Sequence, residues 1–587
     1  MASTATSAGD GVPAPQAASS FAKSLFLGEI HGDMVFPYPR PDEEEERRLR
    51  GIVAALEEFA DGYDEREAED ARWISDDTLA RLGEIGALGL YVPRELEGQG
   101  LSQTGYARVF EALAGIDPTL CVVLGVHQSI GYKGIALFGT PEQRSRWLPD
   151  LATGRKLAAF ALTEPGAGSD AWNLASRAVR QPDGSWVLNG DKRYIGNGSR
   201  ADVLTTFARC EVDGKDRHIA LLVESGTPGF EVGERHDTMG LRANDLRRLF
   251  FRDVRVPPEN VLGEPGDGFK IAMAILNNGR IGLGTGSVGG AKALLHLSLA
   301  HVADRHQFGA PLADLELVQE KLGWMVSYLF GLESMCYLTT GLIDSGVSDY
   351  SLESAACKVA GTEFLWYQVN RALQLAGGEG YLRTNRYEKV LRDVRIFPIF
   401  EGANDVLRSY VALTGMKPLG EQLSDLGNIG LSDPIGSLGV LVDYVGARVR
   451  SGLGHERLRG NHDELERHAK AVGDQVAELH EGCAKLLRRH RREIVQRGLH
   501  HRRVSDAVAD ILAQIAVISR VSGLLDDQGL DLSGQERHIA DVFCDRAARR
   551  VRRNLRQLEH NDDERATAIA RLALRQGRYS FDLAGGA

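Results

Sequence analysis

Across residues 156–266 the hydrophobic period of the chain changes from a helical spacing to an alternating one and then back, and this limits its possible folds more than any other feature. Before the change, "PDEEEERRLRGIVAALEEFADGY" sets a proline and an acidic first turn ahead of a periodic apolar face, as a helix start does. Glu43 to Glu46 read there as a solvated first turn. Within it, short runs such as "SWVLNG" and "RHIALLVE" stand beside Asp183-Gly184 and Asp213-Gly214, pairs suited to hairpin turns. After it, long helical patterns resume, and "GEQLSDLGNIGLSDPIGS" from Gly420 reads as a linker.

This order predicts a mixed, mainly α protein in several packed units, and a length of 587 residues also exceeds what one hydrophobic core supports. The expected divisions are a leader and N-terminal arm over 1–40, an N-terminal helical domain over 41–155 and a middle antiparallel β-domain over 156–266. A helical bundle domain over 267–420 and an extra C-terminal helical domain over 421–587 follow.

A formal net charge of −12 opposes general binding to nucleic acid, whose phosphates the overall field would repel. Cys121, Cys210, Cys336, Cys357, Cys483 and Cys544 form no CxxC pair and have no histidine set nearby, so reduced, buried thiols are expected and no metal site. No apolar run approaches the ~20 residues of a membrane helix. The start, "MASTATSAGDGVPAPQAASS", reads as a disordered leader without a targeting signal, which predicts a cytoplasmic location.

Two features bear on chemistry. "GTGSVG", with Gly284, Gly286 and Gly289, is formally a GxGxxG dinucleotide fingerprint, but the preceding "GFKIAMAILNNGRIGL" has helical length and spacing rather than those of a strand. Small residues there are expected to let a helix approach something flat. In "RDVRIFPIFEGANDVLR", Glu401 follows an aliphatic and aromatic run, where partial burial would disfavour its charged form and suit a working base.

The ordered segments "ALTEPGAGSD", "GDKRYIGNG", "FFRDVRVPPENVLG", "RHQFG", "QLAGGEGYLR" and "IFEGANDVLR" resemble the acyl-CoA dehydrogenase family. "SFAKSLFLGEIHGDMVFPYP", "LGVHQSIGYKGI", "ILNNGRIGL" and the C-terminal region are most similar to its very-long-chain branch. The resemblance spans the chain from about residue 20. It implies an oxidoreductase of fatty-acid β-oxidation that converts an acyl-CoA to the trans-2-enoyl-CoA, Glu401 taking the α-proton and flavin N5 the β-hydride. FAD is the implied cofactor, an electron-transfer flavoprotein the implied acceptor, and a homo-oligomer, a dimer first, the implied assembly. In related enzymes the backbone N–H of the basic glutamate holds the thioester oxygen. A few relatives carry the base where this chain has Gly279, which cannot take a proton.

The same resemblance assigns Leu162 and Thr163 to the flavin edge and Ser169 to its pyrophosphate and the substrate. Arg280 and Gly402 support substrate beside Glu401. Arg305, Gln307, Phe308, Gln374, Gly377 and Gly378 would hold the adenosine end of FAD bound by a neighbouring subunit. Gly125 would leave room for a long acyl chain. Three positions depart from the family pattern near the flavin: Tyr194 replaces a tryptophan, and Gly196 and Ala403 each replace a hydroxyl residue. The gap expected beside Gly196 would open the ring to oxygen, so an acyl-CoA oxidase stands as an alternative, as does a non-catalytic assembly paralogue. Finally, Ile435, Leu438, Leu441, Val442, Val445 and Val449 share one helical face ahead of several arginines, so 435–459 is expected to make peripheral membrane contact.

Overall fold

The computed structural model describes residues 20–425, 458, 462–532, 534–579 and 581. The stretch 435–459, expected to meet a membrane, lies outside the described residues except for Leu458, which is buried.

The principal helices before the sheet are α1 (Phe21–Phe26), α2 (Glu43–Asp61), α3 (Gln103–Ile116) and α4 (Pro118–Leu124), the last continued by a π-helical turn over Gly125–Gly131. Asp42 caps α2 by accepting from Glu45 N–H at 2.8 Å. Its acidic first turn is not wholly solvated: Glu45 is buried and accepts from Ser102 N–H at 2.7 Å, tying α2 to the start of α3.

Strands β1 (Ala158–Ala161), β2 (Arg177–Arg180), β3 (Trp186–Ile195), β4 (Val203–Val212), β5 (Lys215–Glu224), β6 (Phe230–Arg235), β7 (Arg247–Val256) and β8 (Val261–Gly266) form one sheet in the order β6-β7-β3-β2-β4-β5-β8, with β1 on β4. The β4–β5 hairpin turns on Asp213 and Gly214, both left-handed at φ 51° and 73°, as its Asp-Gly pair favours. The sheet is not antiparallel throughout. β1 enters from the helical domain and leaves by a long loop instead of a hairpin, and it pairs with β4 in parallel.

The remaining helices are α5 (Gly268–Asp304), α6 (Glu316–Asp344), α7 (Ser351–Ala376), α8 (Arg386–Val394), α9 (Asn404–Asp425), α10 (Asp463–His490), α11 (Gly498–Leu532), α12 (Gly534–Arg556) and α13 (Asp563–Gln576). α9 continues to Asp425, so the linker expected from Gly420 begins as helix. Nor does the C-terminal region keep a core of its own. One buried cluster runs from Phe21 in α1 to residues of α10, α11 and α12, and Arg408 of α9 pairs with Asp506 of α11 at 2.8 Å.

Two stretches correct the expectation about apolar runs. Pro118–Phe138 and Gly498–Asp527 are long and apolar enough to cross a membrane by composition, but 78% and 72% of their apolar windows are buried in the fold, as in core helices. All six cysteines are buried and unpaired.

One buried ion cluster joins the N-terminal helices, the sheet and the helical bundle. Lys389 Nζ in α8 donates to Asp117 at 2.9 Å and to Asp393 at 2.8 Å, with Glu65 3.7 Å away. Asp393 accepts in turn from Leu241 N–H of the β-domain at 2.6 Å. One ammonium faces three carboxylates, and burial, helped by Asp117, pushes the Asp393 carboxyl up to about 6. Glu65 is also paired with Arg386 at 2.6 Å, so Lys389→Met leaves Asp117 and Asp393 without their cation, and we expect about 3–5 kcal/mol of destabilisation. Protonation relieves a raised carboxyl as pH falls, so the deficit in melting temperature should be larger at pH 8 than at pH 5.5.

Candidate active site

Glycines in α5 bring its backbone close to its neighbours. A Cβ at Gly282 would lie 2.9 Å from Tyr106 Oη of α3, one at Gly286 3.1 Å from Cys121 Sγ, and one at Gly284 3.2 Å from Cys357 of α7. One at Gly289 would overlap the Glu111 carbonyl. The "GTGSVG" glycines thus seat a helix against helices, and what they approach is not flat.

This packing presents Gly279 and Arg280 to the turn before α9. There Glu401 adopts φ +56° and Gly402 φ +92°. Left-handed backbone is uncommon for a glutamate, and it aims the side chain back toward α5. Glu401 Oε2 lies 3.1 Å from where a Gly279 Cβ would stand, beside Ile130, and it is buried with no hydrogen-bond partner. Burial raises the carboxyl above its ordinary range, partly offset by the Arg280 and Lys358 cations. The Glu401 N–H likewise has no acceptor among the described residues.

The carbonyls of the turn are held. Arg280, buried, donates from Nε to the Glu401 carbonyl at 3.3 Å and from its guanidinium to Asn277 at 2.8 Å. Lys358 of α7 donates to the Gly402 carbonyl and to Asn404 Oδ1, each at 2.8 Å. Ala403 completes the turn before α9 begins at Asn404.

On the far side of Glu401 stands the π-turn, an element often found at functional sites. A Cβ at Gly125 would touch the Phe110 ring edge at 3.4 Å and Ser129 Oγ at 3.8 Å, so this glycine seats the turn against Phe110. Ser129 hydrogen-bonds Tyr106 Oη, and Tyr106 stacks on Phe110 with centroids 4.4 Å apart. The next residue, Val126, faces the β-domain. A Cβ on Gly196 would lie 2.9 Å from Val126 Cγ2, so the gap expected there is filled by valine and the proposed oxygen path has no opening at that position.

Around this seam lie several residues assigned to the flavin. The Leu162 carbonyl accepts from buried Lys192 at 3.0 Å and the Thr163 carbonyl from Arg193 N–H at 2.8 Å, while the Thr163 hydroxyl has no partner among the described residues. Tyr194, at φ +62°, stays half exposed beside His236 with centroids 5.0 Å apart. Asn244 Oδ1, 3.6 Å from a Gly196 Cβ position, and Asn197 Oδ1 are buried acceptors without partners. Unused acceptors, a free hydroxyl and an open aromatic face fit the ring and ribityl hydroxyls of a flavin. Ser169 is exposed next to Gly168, where a Cβ would meet nothing within 4 Å.

The other assigned group stands apart. Arg305, Gln307 and Phe308 sit at a two-stranded turn after α5, with Phe308 94% exposed, and Gln374, Gly377 and Gly378 are exposed at the end of α7. A Cβ at Gly377 or Gly378 would meet nothing of this chain within 4 Å; Gly377, at φ +60°, is called for by its own backbone, whereas packing within the subunit does not demand Gly378. Lys358, Tyr106 and Asn244 complete the site without a motif to mark them, while Asn404 in "IFEGANDVLR" and Val126 and Ser129 in "LGVHQSIGYKGI" lie in family-like segments but have no role assigned there. For Lys358 a signal was present, a single cation inside the small apolar run "SAACKVAG".

The chain matches the family descriptions "Acyl-CoA dehydrogenase, N-terminal domain" over residues 43–155, "middle domain" over 159–254 and "C-terminal domain" over 266–415, and "ACAD9/ACADV, C-terminal domain" over 463–579. It is 39% identical over 560 residues to the human mitochondrial very long-chain specific acyl-CoA dehydrogenase, covering 93% of this chain and 85% of that protein. Among solved structures, an acyl-CoA dehydrogenase complexed with FAD from Bacillus anthracis aligns with a TM-score of 0.76 at 28% identity, over 93% of this chain and 94% of that one. Butyryl-CoA dehydrogenase from Megasphaera elsdenii aligns with a TM-score of 0.61 at 31% identity, over 64% of this chain and 99% of that one. Identity of 39% sustained over 93% of its length shows that the chain belongs to the acyl-CoA dehydrogenase family, on the branch that carries this C-terminal domain.

Proposed function

We propose that the chain dehydrogenates a long-chain acyl-CoA to its trans-2-enoyl-CoA with FAD as cofactor, Glu401 removing the α-proton. The observation that carries this reading is Glu401 Oε2, buried and without a partner among the described residues, on a turn whose own N–H is also unpaired among them. An α-proton of a thioester is too weakly acidic for a base acting alone, so its carbonyl must be polarised while the carboxylate meets the α-carbon. The Glu401 N–H is the chain's donor for that oxygen. Arg280 and Lys358 donate to the carbonyls of Glu401 and Gly402, so those acceptors are already satisfied and do not compete for the N–H.

Leu162, Thr163, Ser169, Tyr194 and Gly196 would hold FAD within the subunit, with Asn244 and Asn197 supplying acceptors. When bound, FAD supplies the two-electron acceptor for the β-hydrogen. Arg305, Gln307, Phe308, Gln374, Gly377 and Gly378 would reach the cofactor of a second copy, which makes a homodimer the smallest complete enzyme. Val126 closes the space beside Gly196, which favours electron delivery to an electron-transfer flavoprotein over oxygen.

Anaerobic titration with a panel of acyl-CoAs tests the whole reading: the yellow protein should bleach with substrate and recolour slowly in air. Rapid recolouring with peroxide would establish an oxidase, and no bleaching with any chain length would sink the proposal. Glu401→Gln keeps size but not basicity, so FAD should stay bound while turnover falls at least ~100-fold. Because burial raises the Glu401 carboxyl, wild-type bleaching should quicken as pH rises through its titration and then level off. If the acyl chain runs past the π-turn, each added methylene contributes ~0.8 kcal/mol and affinity should keep rising beyond twelve carbons. A maximum at four to eight carbons would assign a shorter channel.

A further inference from the structure

The turn that carries Glu401 rests on two buried cations, and no motif marks the second of them. Lys358 has no exposed surface, yet among the described residues no carboxylate accepts a hydrogen bond from it: its acceptors are the Gly402 carbonyl and the Asn404 carboxamide, both at 2.8 Å. Lys192 and Lys389, two other lysines with almost no exposed surface, instead bond directly to carboxylates at 2.7 Å and at 2.8–2.9 Å, and Lys133, slightly less buried, stands over the Tyr91 ring. An ammonium buried without a direct counter-ion is costly, and a hydrophobic residue of similar size would remove that cost. Its cost points to a task outside stability.

The surroundings say which task. The charged groups facing Lys358 are Glu401, Arg280, Glu363 and Arg408. Glu363 is engaged by Asn404 Nδ2 at 3.0 Å and by Arg408 at 3.2 Å, and Arg408 also holds Asp506. Glu401 is the carboxylate left without such partners. Asn404 donates to Thr362 at 3.0 Å as well, so the carboxamide that aims Lys358 is itself fixed. Arg280 and Lys358 therefore grip consecutive carbonyls of one left-handed turn from two different helices.

We propose that Lys358 is a positioning residue for the reaction: by holding the Gly402 carbonyl it keeps the N–H of the Glu401 turn free for the thioester oxygen. This rests on the reading of Glu401 as base. In the step it serves, the α C–H bond breaks, the proton passes to Glu401, and the electron pair moves toward the carbonyl held by the turn. Lys358 touches none of these atoms. Burial lowers its own proton affinity to about 7, with Glu401 opposing the fall, so the two groups favour each other's charged form.

The test compares wild type, Glu401→Gln, Lys358→Met and Lys358→Gln, each loaded with FAD, using hexadecanoyl-CoA as probe. Flavin content, melting temperature, acyl-CoA affinity, the rate of anaerobic bleaching across pH, and exchange of the α-hydrogens with D2O followed by NMR are measured. Lys358→Met should bind the acyl-CoA nearly as wild type does, while bleaching and α-exchange both fall about 100-fold, the scale of losing one oxyanion donor. Its acid limb should move to higher pH, because removing a nearby cation raises the Glu401 carboxyl. Lys358→Gln keeps a donor without charge, so it should show the same pH displacement with a smaller fall in rate. If the methionine variant does not fold, the glutamine variant carries the test on its pH limb and exchange rate. Wild-type rates and pH limb in either folded variant, or a loss confined to flavin content and melting temperature, would overturn the role of Lys358 alone. A wild-type enzyme that neither bleaches nor exchanges would overturn the Glu401 reading along with it.

Discussion

Everything at the site depends on how closely the backbone of α5 approaches α3, α7 and the Glu401 turn. That approach requires glycine at several points: a Cβ at Gly282 would crowd Tyr106 at 2.9 Å, and one at Gly279 would crowd Glu401 Oε2 at 3.1 Å. Gly279 and Glu401 are thus alternatives in one space, since a side chain at 279 would displace the carboxylate. Helical glycine weakens a helix by about 1 kcal/mol relative to alanine, and α5 carries several, so its stability must come from burial between its neighbours. The site and the core are built by the same contacts.

The π-turn transmits this packing to the β-domain. Its extra residue per turn lets Gly125, Ser129 and Ile130 face Phe110, Tyr106 and Gly279 while Val126 faces Gly196. A regular α-helical turn would not present both sets from so short a segment, because its side chains repeat on one face at every third or fourth residue. Gly196 is then explained by Val126, since a hydroxyl residue at 196 would require the turn to withdraw. Gly196 and Val126 are thus complementary, the valine taking the space that a side chain at 196 would need.

How much of this was legible in the sequence differs by kind of residue. The change of period marks the β-domain, and the Asp213-Gly214 pair locates a hairpin, because those signals are local. Glu401 was legible from its apolar neighbours together with the family motifs. The roles of Lys358 and Asn404 were not, although a lone cation in a small apolar run and a family-like segment pointed to the positions, because their partners lie at least 44 and 41 positions away in the chain. Gly196 was legible as a departure but was misread as an opening, because a sequence shows a missing side chain and not the neighbour that occupies its place. The joining of the C-terminal helices to the main core was also hidden, since amphipathic spacing tells that a face is buried and not against what.

Glu401 stands out most clearly when set beside the other buried carboxylates. Glu164 is answered by Lys192 at 2.7 Å and by two backbone N–H groups, and Asp117 by Lys389, Tyr63 and its own helix start. Such pairing repays the desolvation of a charge and leaves little free capacity to accept a proton. At Glu401 the nearest cations bind neighbouring carbonyls instead, so they act on the carboxylate through space without occupying its oxygens. Direct ion pairs would have depressed its proton affinity, and burial alone would have kept it neutral. The arrangement between these extremes leaves a carboxylate that can be ionised and can still take a proton, which is the requirement for a base in a water-poor site.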